Sequence, residues 1–286
     1  MIKSSTLQLL RFHFSFFLMP IYWFALSQVI HIDSSRAILV FIILHFMVYP
    51  SSNAYNSFMD RDTGSIGGIK NPQAPTRQLF NASLLLDALA LICSLFISIY
   101  FMLGILAYIL ASRAYSYRGI RLKKNPFLGY FTVIFFQGAV CFFLVKHGAS
   151  ESKTLSVPLI AMVASSLLIG GFYPLTQIYQ HQQDNADNVI SISLVLGYRG
   201  TFVFTAVIYI LAMIALGWYF ANNLELDRFF IIQIFLLPVL VYFFWWFYQV
   251  YKNIEAANFK NTMRMNLLAS VCSNAAFIVI FILEKL

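Results

Sequence analysis

Two short polar stretches, residues 52–60 and 180–188, lie at the ends of long apolar segments in a chain that is otherwise poor in charge. Both contain carboxamide and carboxylate side chains at helical spacing, so each could present several oxygen atoms on one face of a helix. Mg²⁺ prefers hard oxygen ligands and commonly completes its shell with water and substrate phosphates. Two helices that aim such oxygens at one point would therefore suffice to build a magnesium site for a diphosphate.

The first stretch places its oxygen-bearing side chains three and four residues apart. Ser52 and Asn53 precede Asn56 by four and three residues, and Asp60 follows it by four. These side chains would share one face of a helix. We predict that Asn53, Asn56 and Asp60 are metal ligands, that Asn53 also contacts substrate, and that Asn56 and Asp60 take part in catalysis. The alternative is that they only cap the helix or meet water.

The second stretch repeats the pattern with Gln180, Asp184 and Asn188, and Asp187 lies one position away from this face. We predict Gln180, Asp184 and Asp187 as metal ligands. Asp184 would be the second catalytic carboxylate. Gln180 and Asn188 would also contact the substrate. Taken alone, one such pattern is a weak indication of function.

Composition identifies the chain as an integral membrane protein. Of its 286 residues, 60% are hydrophobic and 10% charged, and the mean hydropathy is +0.76, so the chain could not present a soluble surface. The length suits one polytopic domain, which we expect to comprise residues 1–286. Cys93, Cys141 and Cys272 lie in apolar runs without paired spacing, which argues against disulfides and thiolate metal sites. No P-loop, dinucleotide-binding, zincin or serine-hydrolase motif is present, so these classes are excluded.

Apolar runs separated by polar clusters predict an all-α, polytopic membrane protein with about nine transmembrane helices. The runs are continuously apolar rather than alternating, which argues against a membrane β-barrel. The third and fourth runs abut closely. The predicted helices comprise residues 12–31, 37–58, 80–99, 101–116, 127–147, 155–178, 200–221, 229–250 and 265–283.

The distribution of basic residues predicts the orientation in the membrane. With a cytoplasmic amino terminus, 14 of the 19 Lys and Arg residues lie on the cytoplasmic side. The remaining five are Arg36, Lys146, Lys153, Arg228 and Lys285. The positive-inside rule therefore favours a cytoplasmic amino terminus and an external carboxyl terminus. Both polar stretches would then face the cytoplasm with basic loops between them, which favours a functional site over two unrelated helix ends.

The net charge of +8 has two explanations. It could attract the protein to anionic lipid, or it could help to capture a polyanionic substrate. Because the basic residues are divided among short loops without a recognisable binding module, we do not expect nucleic acid as a partner.

The first polar stretch and the overall layout resemble the UbiA superfamily of intramembrane prenyltransferases. The first motif of that family is typically NDxxDxxxD, and its positions are occupied here by Ser52, Asn53, Asn56 and Asp60. Nine helices, motifs after the second and sixth of them, and the segment 115–123 after the fourth also fit the family. The resemblance covers essentially the whole chain and implies helices arranged around a central cavity for a lipid substrate.

The second motif of the family is roughly DxxxDxxxG, followed by a short run that ends in Leu-Gly. Its positions are occupied here by Gln180, Asp184 and Asn188, and the run ends at Leu196-Gly197. Both motifs have fewer carboxylates than the family pattern. Neutral amide oxygens still bind a hard cation but attract it less strongly. A weaker magnesium site, a larger role for the basic loops, and a loss of catalysis are three open consequences.

The resemblance implies electrophilic chemistry. The head of a prenyl diphosphate would lie between the two motifs, where Mg²⁺ and cationic side chains stabilise the departing pyrophosphate while C1 gains cation character. We expect Lys70, Arg121 and Lys123 to act on the phosphates, with Arg77 and Arg11 as further contacts. Each of these residues could instead serve only the positive-inside rule.

Three further side chains are candidates. Tyr115 and Tyr179, next to the motifs, would hydrogen-bond the diphosphate, or else belong to the aromatic belt at the membrane interface. His45 precedes Ser52 by seven residues and so shares its helix face. It could act as a base on the acceptor side, or it is a hydrogen-bonded packing residue.

We therefore predict Mg²⁺-dependent transfer of a prenyl group from a prenyl diphosphate to an unidentified lipophilic acceptor at the cytoplasmic face of a cell membrane. The membrane is expected to be the bacterial inner membrane, whose lipids surround the protein. The acceptor could be an aromatic ring, a quinone precursor, a tetrapyrrole, a sugar phosphate or another lipid. Two alternatives are a non-catalytic protein that binds or transports an isoprenoid lipid and a UbiA-type terpene cyclase. The sequence leaves the oligomeric state open.

Overall fold

The computed structural model describes residues 2–285, and this part of the chain is almost entirely helical and contains no β-strand. Eight of its helices are long and apolar enough to cross a membrane, and a bent pair at the amino end would make a ninth span. The prediction of an all-α, polytopic membrane protein is confirmed. In chain order, the helices are α1 (Ser4–Phe17), α2 (Met19–Ser27), α3 (Ser34–Asp60), α4 (Arg77–Leu95), α5 (Ile99–Ser116), α6 (Pro126–Ala149), α7 (Leu159–Ala186), α8 (Ile192–Asn222), α9 (Leu226–Lys252) and α10 (Phe259–Leu283).

The main differences from the predicted boundaries lie in the first, sixth and seventh spans. The predicted helix 200–221 corresponds to α8, which already begins at Ile192. The predicted helix 12–31 corresponds to α1 and α2, which begin at Ser4 and are bent by 41° relative to each other. The predicted helix 155–178 corresponds to α7, which continues to Ala186. The glutamine-rich segment after residue 178 contains no Gly or Pro, and Gln is a good helix former. The second polar stretch therefore begins as part of a helix.

Polar caps set the starts of two helices. The side chain of Ser98 accepts a hydrogen bond from the backbone N–H of Phe101 at 3.0 Å, so α5 begins immediately after this residue. This cap divides the two apolar runs that abut in the sequence. Asn125 accepts from the N–H of Phe127 at 3.0 Å, and Pro126 occupies the first helical position of α6, where its missing N–H has no cost.

The helices close into a ring because the first and last spans meet. α2 packs against α10, and the ring of Phe24 stacks on that of Phe277 with 4.9 Å between centroids. α3 packs on α4 and α5, and α7 packs on α6 and α8. This arrangement encloses a central space between the helices.

A glycine permits the close approach of α6 and α7. α6 widens into a π-helix over Phe135–Val140, and a Cβ atom on Gly138 would lie 2.4 Å from the Cα of Ser166. The backbone N–H of Ala139 donates to the hydroxyl of Ser166 at 3.1 Å. Small residues let membrane helices approach closely in this way.

The loops form two separate ends of the bundle. At one end, the guanidinium of Arg118 donates to the carbonyl of Met59 at 2.8 Å and joins the α5–α6 loop to the end of α3. At the other end, Arg36 donates to the carbonyl of Ser150 at 2.9 Å and joins the start of α3 to the end of α6. Both polar stretches lie at the first end, which we call the motif end.

Candidate functional site

A cavity of about 300 Å³ lies between the helices, and both polar stretches contribute to its wall. α3 supplies Ser52, Asn53, Asn56 and Asp60, which share the helix face expected from their spacing. Elsewhere the wall is largely apolar and comes from α1, α2, α5, α6, α7 and α10. The cavity thus combines a polar region at the motif end with an apolar lining.

α7 contributes a second row of polar side chains, one turn earlier than its sequence spacing suggested. Tyr173, Gln177, Gln180 and Asp184 all line the cavity, at spacings of four, three and four. Asn188 does not, because α7 has already ended. Its backbone takes a left-handed φ of 52°, and its side chain is exposed.

Asp60 lies between two cations. Its carboxylate pairs with the ammonium group of Lys123, which also lines the cavity. Nη2 of Arg121 lies 3.7 Å from Oδ1 of Asp60 and pairs with Asp187. Arg121 and Asp187 lie outside the cavity wall. Asp60 is only 8% exposed, yet its Oδ1 accepts no hydrogen bond within residues 2–285.

Asp62 also lines the cavity and was not selected as a site residue from the sequence. The chain leaves the helix at Arg61, whose φ is 57°, so helical spacing could not place Asp62. Its Oδ1 accepts a hydrogen bond from Nε2 of Gln183 at 2.5 Å, which joins the two polar stretches. Burial, reinforced by the negative charge of Asp60, raises the pKa of Asp62 to about 6, while the nearby ammonium of Lys123 opposes this shift.

Four predicted substrate contacts line the cavity: Arg11, Asn53, Tyr115 and Gln180. The guanidinium of Arg11 donates to the backbone carbonyls of Asn53 at 3.2 Å and Gly67 at 3.4 Å. It therefore ties the middle of α1 to α3 and to the loop that follows α3. The hydroxyl groups of Tyr115 and Tyr173 are hydrogen-bonded at 2.5 Å across the space between α5 and α7.

The cations predicted on the α3–α4 loop and at the start of α4 lie outside the cavity wall. Lys70 is exposed because Ile66 and Ile69 take the buried positions of this loop, with 4% and 7% of their surface accessible. Arg77 is exposed as well, and its guanidinium lies over the ring of Phe80. The structure brings neither cation to the two polar rows.

Tyr179 and His45 are likewise outside the wall. The ring of Tyr179 packs edge-on against Phe259, and its buried hydroxyl has no hydrogen-bond partner within residues 2–285. His45 stacks on Phe41 with 4.2 Å between ring centroids, and its Nδ1 lies 3.1 Å from the carbonyl of the same residue. The position of His45 fits the packing alternative rather than a base at the cavity.

The oxygen-bearing side chains of the wall fit a magnesium ion that is coordinated partly by the protein and partly by a diphosphate. Within residues 2–285, no three His, Cys, Asp or Glu side chains are arranged to hold a metal ion by themselves. The wall nevertheless offers three carboxylates, Asp60, Asp62 and Asp184. Asn56 and Gln180 add amide oxygens, since their amide nitrogens already donate elsewhere. An all-oxygen set is what Mg²⁺ prefers, and phosphate and water oxygens commonly complete its shell. The buried Oδ1 of Asp60 leaves an acceptor free for such an ion.

A comparison with protein families matches residues 16–268 to the UbiA prenyltransferase family. Because the match covers most of the chain, the protein belongs to this family, and the resemblance drawn from the motifs is confirmed. A comparison with curated proteins found no match.

Solved structures share this fold over nearly their whole length. One is a structure from work on digeranylgeranylglyceryl phosphate synthase, with 21% identity, a TM-score of 0.63, and coverage of 99% of this chain and 98% of the other. A UbiA homolog from Archaeoglobus fulgidus has 18% identity and a TM-score of 0.69 over 97% of this chain and 99% of the other. Its structures bound to Mg²⁺ with DMAPP or GPP have 16% identity, the same coverage and TM-scores of 0.69 and 0.67. At these identities, the likeness shows a common fold.

Proposed function

We propose that this protein transfers a prenyl group from a prenyl diphosphate to a lipophilic acceptor at the cytoplasmic face of a cell membrane. One observation carries the proposal: Asp60 and Asp184, from the ends of two separate helices, line one cavity whose remaining wall is largely apolar. A prenyl diphosphate has a charged head and an apolar tail, which match these two parts. The Archaeoglobus homolog, bound to DMAPP or GPP with Mg²⁺, supports this assignment. We further propose that residues 1–286 act as one domain.

In this proposal, Asp60, Asp62 and Asp184 would hold Mg²⁺, with neutral oxygens from Asn56 and Gln180. When bound, the ion would supply positive charge against the diphosphate and the departing pyrophosphate. The carboxylates come from both polar rows, so the ion and the diphosphate would also hold α3 and α7 together. Asp187 is not part of this set, because Arg121 holds it outside the cavity.

Two cationic side chains, Lys123 and Arg11, would contact the diphosphate at the motif end. Lys123 pairs with Asp60, and its flexible ammonium group can exchange this carboxylate for a phosphate oxygen. Arg11 lines the same cavity, and its buried Nε has no hydrogen-bond partner within residues 2–285. Fixed donors beside the leaving group stabilise the negative charge that develops on it.

The aromatic part of the wall would shield the prenyl carbon from water while it gains cation character. Phe14, Phe17, Phe136 and Phe172 line the cavity. Their faces carry partial negative charge and attract a cation, and their apolar surface excludes water that would capture it. The prenyl carbon can then develop cation character next to the acceptor rather than next to solvent.

The test uses the purified full chain with GPP, Mg²⁺ and a set of lipophilic acceptors, with pyrophosphate release and product mass as readouts. We expect release that depends on Mg²⁺ and falls about 100-fold or more in Asp60→Asn and Asp184→Asn. Asn188→Gly, which removes an exposed side chain at a left-handed φ that glycine accepts, is the control and should remain near wild type. Binding of GPP without any release would instead indicate an isoprenoid carrier. Release without an acceptor, with a cyclised product, would indicate a terpene cyclase.

A further inference from the structure

The carboxyl-terminal helix lines the cavity with polar side chains that the proposed diphosphate site does not use. Asn266, Ser270 and Ser273 of α10 all belong to the wall. Their spacing of four and three residues places them on one helix face, over about 10 Å along the axis. Ala269 and Phe277 flank them on the wall. The result is a polar row inside a largely apolar surface, which we call the α10 row.

The side chain of Asn266 is unpaired and opens onto the cavity. The residue is 5% exposed and lines the wall, and its carboxamide makes no hydrogen bond to any other residue of the range 2–285. Asn274 lies on the same helix with the same exposure but outside the cavity wall. Its amide nitrogen donates to the carbonyl of Phe16 at 3.4 Å, and its buried Oδ1 has no partner among the described residues. Polar groups inside a protein are usually hydrogen-bonded. Because the amide of Asn266 is unpaired and open to the cavity, it is available to a ligand group there.

The wall around the α10 row carries no charge of its own. Every residue that α10 contributes to the cavity is uncharged, and so are Tyr108 and Gln137 from α5 and α6. The two cations of the wall lie at the motif end, where Arg11 donates to the carbonyls of Asn53 and Gly67 and Lys123 pairs with Asp60, and both are assigned to the diphosphate. Burying a carboxylate or phosphate next to the row would leave that charge without a partner, which is strongly unfavourable.

We propose that Asn266, together with Ser270 and Ser273, binds the acceptor substrate through an uncharged hydroxyl or carbonyl group. The inference rests on the proposed function, since an acceptor exists only if the protein transfers a prenyl group. An amide and a hydroxyl can each donate and accept a hydrogen bond, so the row can pair with a phenol, an alcohol or a quinone carbonyl. The substrate class is thus a neutral, lipophilic acceptor, as opposed to a carboxylated or phosphorylated one.

The transfer itself balances with such an acceptor. A nucleophilic carbon or oxygen of the acceptor forms the new bond to C1 of the prenyl group. The C1–O bond of the diphosphate breaks, and its electron pair stays on pyrophosphate. The proton that the acceptor loses passes to pyrophosphate. The α10 row would hold the acceptor during this exchange and would take no part in breaking the C1–O bond.

Two probes that differ by one carboxylate test the proposal: 2-naphthol and 3-hydroxy-2-naphthoate. Their equilibrium binding to the full chain in nanodiscs is measured with Mg²⁺ and pyrophosphate present, and partition into empty nanodiscs is subtracted. Binding of GPP with Mg²⁺ is measured on separate portions of the same protein preparation, without pyrophosphate. We expect 2-naphthol to bind at least about tenfold more tightly than the carboxylated probe, since a buried charge would lack a partner.

Variants of the row provide the second arm. Asn266→Leu keeps the size of the side chain and should weaken 2-naphthol binding about fivefold, the effect of losing one hydrogen bond, with GPP binding unchanged. Asn274→Leu, at an equally buried position outside the wall, is the matched control and should change neither. Ser270→Val repeats the test at a second position of the row, in case Asn266→Leu does not fold.

Several results would overturn the inference. Equal binding of the two probes would contradict the preference for a neutral acceptor. Unchanged binding of 2-naphthol in both Asn266→Leu and Ser270→Val would show that the α10 row does not bind the acceptor. Binding of GPP without binding of either probe would also contradict it. If the wild-type chain did not bind GPP at all, the proposed function itself would be wrong. The measurement of GPP binding therefore distinguishes this outcome from a failure of the acceptor proposal alone.

Discussion

Lys123 and Asp60 form an ion pair at the motif end of the cavity. The pair lines the cavity, and Arg121 adds a second positive charge 3.7 Å from the same carboxylate. The first motif has few carboxylates, and one of them is already neutralised by the chain. A divalent ion and the ammonium group of Lys123 therefore compete for Asp60, whereas a diphosphate would attract both.

Replacing this lysine should separate diphosphate binding from metal binding. We expect Lys123→Met to reduce pyrophosphate release about 100-fold, because a cation beside the leaving group is lost. The Mg²⁺ concentration at half-maximal rate should not rise, since Asp60 is then free of its competitor. Lys70→Met is the matched control, because Lys70 is exposed and outside the cavity, and its rate should stay within about twofold of wild type. Equal losses in both variants would contradict a specific role for Lys123.

Asp62 should contribute to metal binding although the family pattern does not point to it. In Asp62→Asn, we expect the Mg²⁺ concentration at half-maximal pyrophosphate release to rise about tenfold or more, because one carboxylate ligand is lost from the cavity. Asp187→Asn changes a carboxylate outside the wall and should shift this concentration little. A Mg²⁺ titration of the two variants measures the difference, and the reverse order would favour the ligand set predicted from the sequence.

Helical spacing predicted which polar residues line the cavity only where the helix continues. Asn53, Asn56 and Asp60 were placed on one face because α3 stays helical to its last residue. Asn188 was misplaced, since spacing does not reveal where α7 ends. Asn266 was not found at all, because only the packing of α10 against its neighbours shows which of its polar residues face the cavity.

At the scale of the helices, a largely buried ion pair connects α3, α4 and α5. Arg113 pairs with Asp87, and the hydroxyl of Ser51 donates to Asp87 at 2.5 Å and accepts from Arg113 at 2.9 Å. The guanidinium of Arg113 also lies over the ring of Tyr55 at 4.0 Å. Ser51 immediately precedes the first polar stretch, so this network fixes the part of α3 from which the site residues extend.

Removing one partner of this ion pair should lower the free energy of unfolding more than removing both partners. Asp87→Leu leaves a buried guanidinium without its carboxylate and should lower the free energy of unfolding by about 3–5 kcal/mol. Adding Arg113→Met should recover most of that loss. Asp227→Ala breaks a pair whose carboxylate is 64% exposed and should cost less than about 1 kcal/mol. Denaturant titrations in detergent would measure all three, and an additive loss in the double variant would contradict the coupling.

The close packing of α6 on α7 leads to a second prediction, which concerns the stability of the fold. Gly138→Ala puts a methyl group into the backbone of α7 and should destabilise the fold by about 1–3 kcal/mol. Gly171→Ala is the matched control, because its nearest contact would be an ordinary 3.8 Å, so helix propensity should make it neutral or stabilising. Thermal unfolding of the two variants distinguishes them. If Gly138→Ala left the stability of the fold unchanged, α6 and α7 would be able to move apart without loss of stability, and the prediction would be wrong.

For the whole molecule, composition and apolar run length were sufficient to predict the class and the number of spans, because a membrane imposes both on the sequence. They could not predict the 41° bend between α1 and α2. They also could not predict the ring that α2 closes with α10, since this contact joins segments at opposite ends of the chain. The central cavity depends on that closure, and its shape therefore follows from long-range packing.

The separation of loops into two ends gives a prediction for the orientation of the whole molecule. The motif end carries most of the basic residues, so the positive-inside rule places it in the cytoplasm. Thr63 lies in the α3–α4 loop at this end and Ser152 in the α6–α7 loop at the other, and both are exposed. In intact cells, a membrane-impermeant maleimide should label Ser152→Cys but not Thr63→Cys, and permeabilisation should expose both. The unmodified chain is the control, because its three cysteines lie within helices and are at least partly buried. Labelling of Thr63→Cys alone in intact cells would reverse the orientation and place the diphosphate site on the external face.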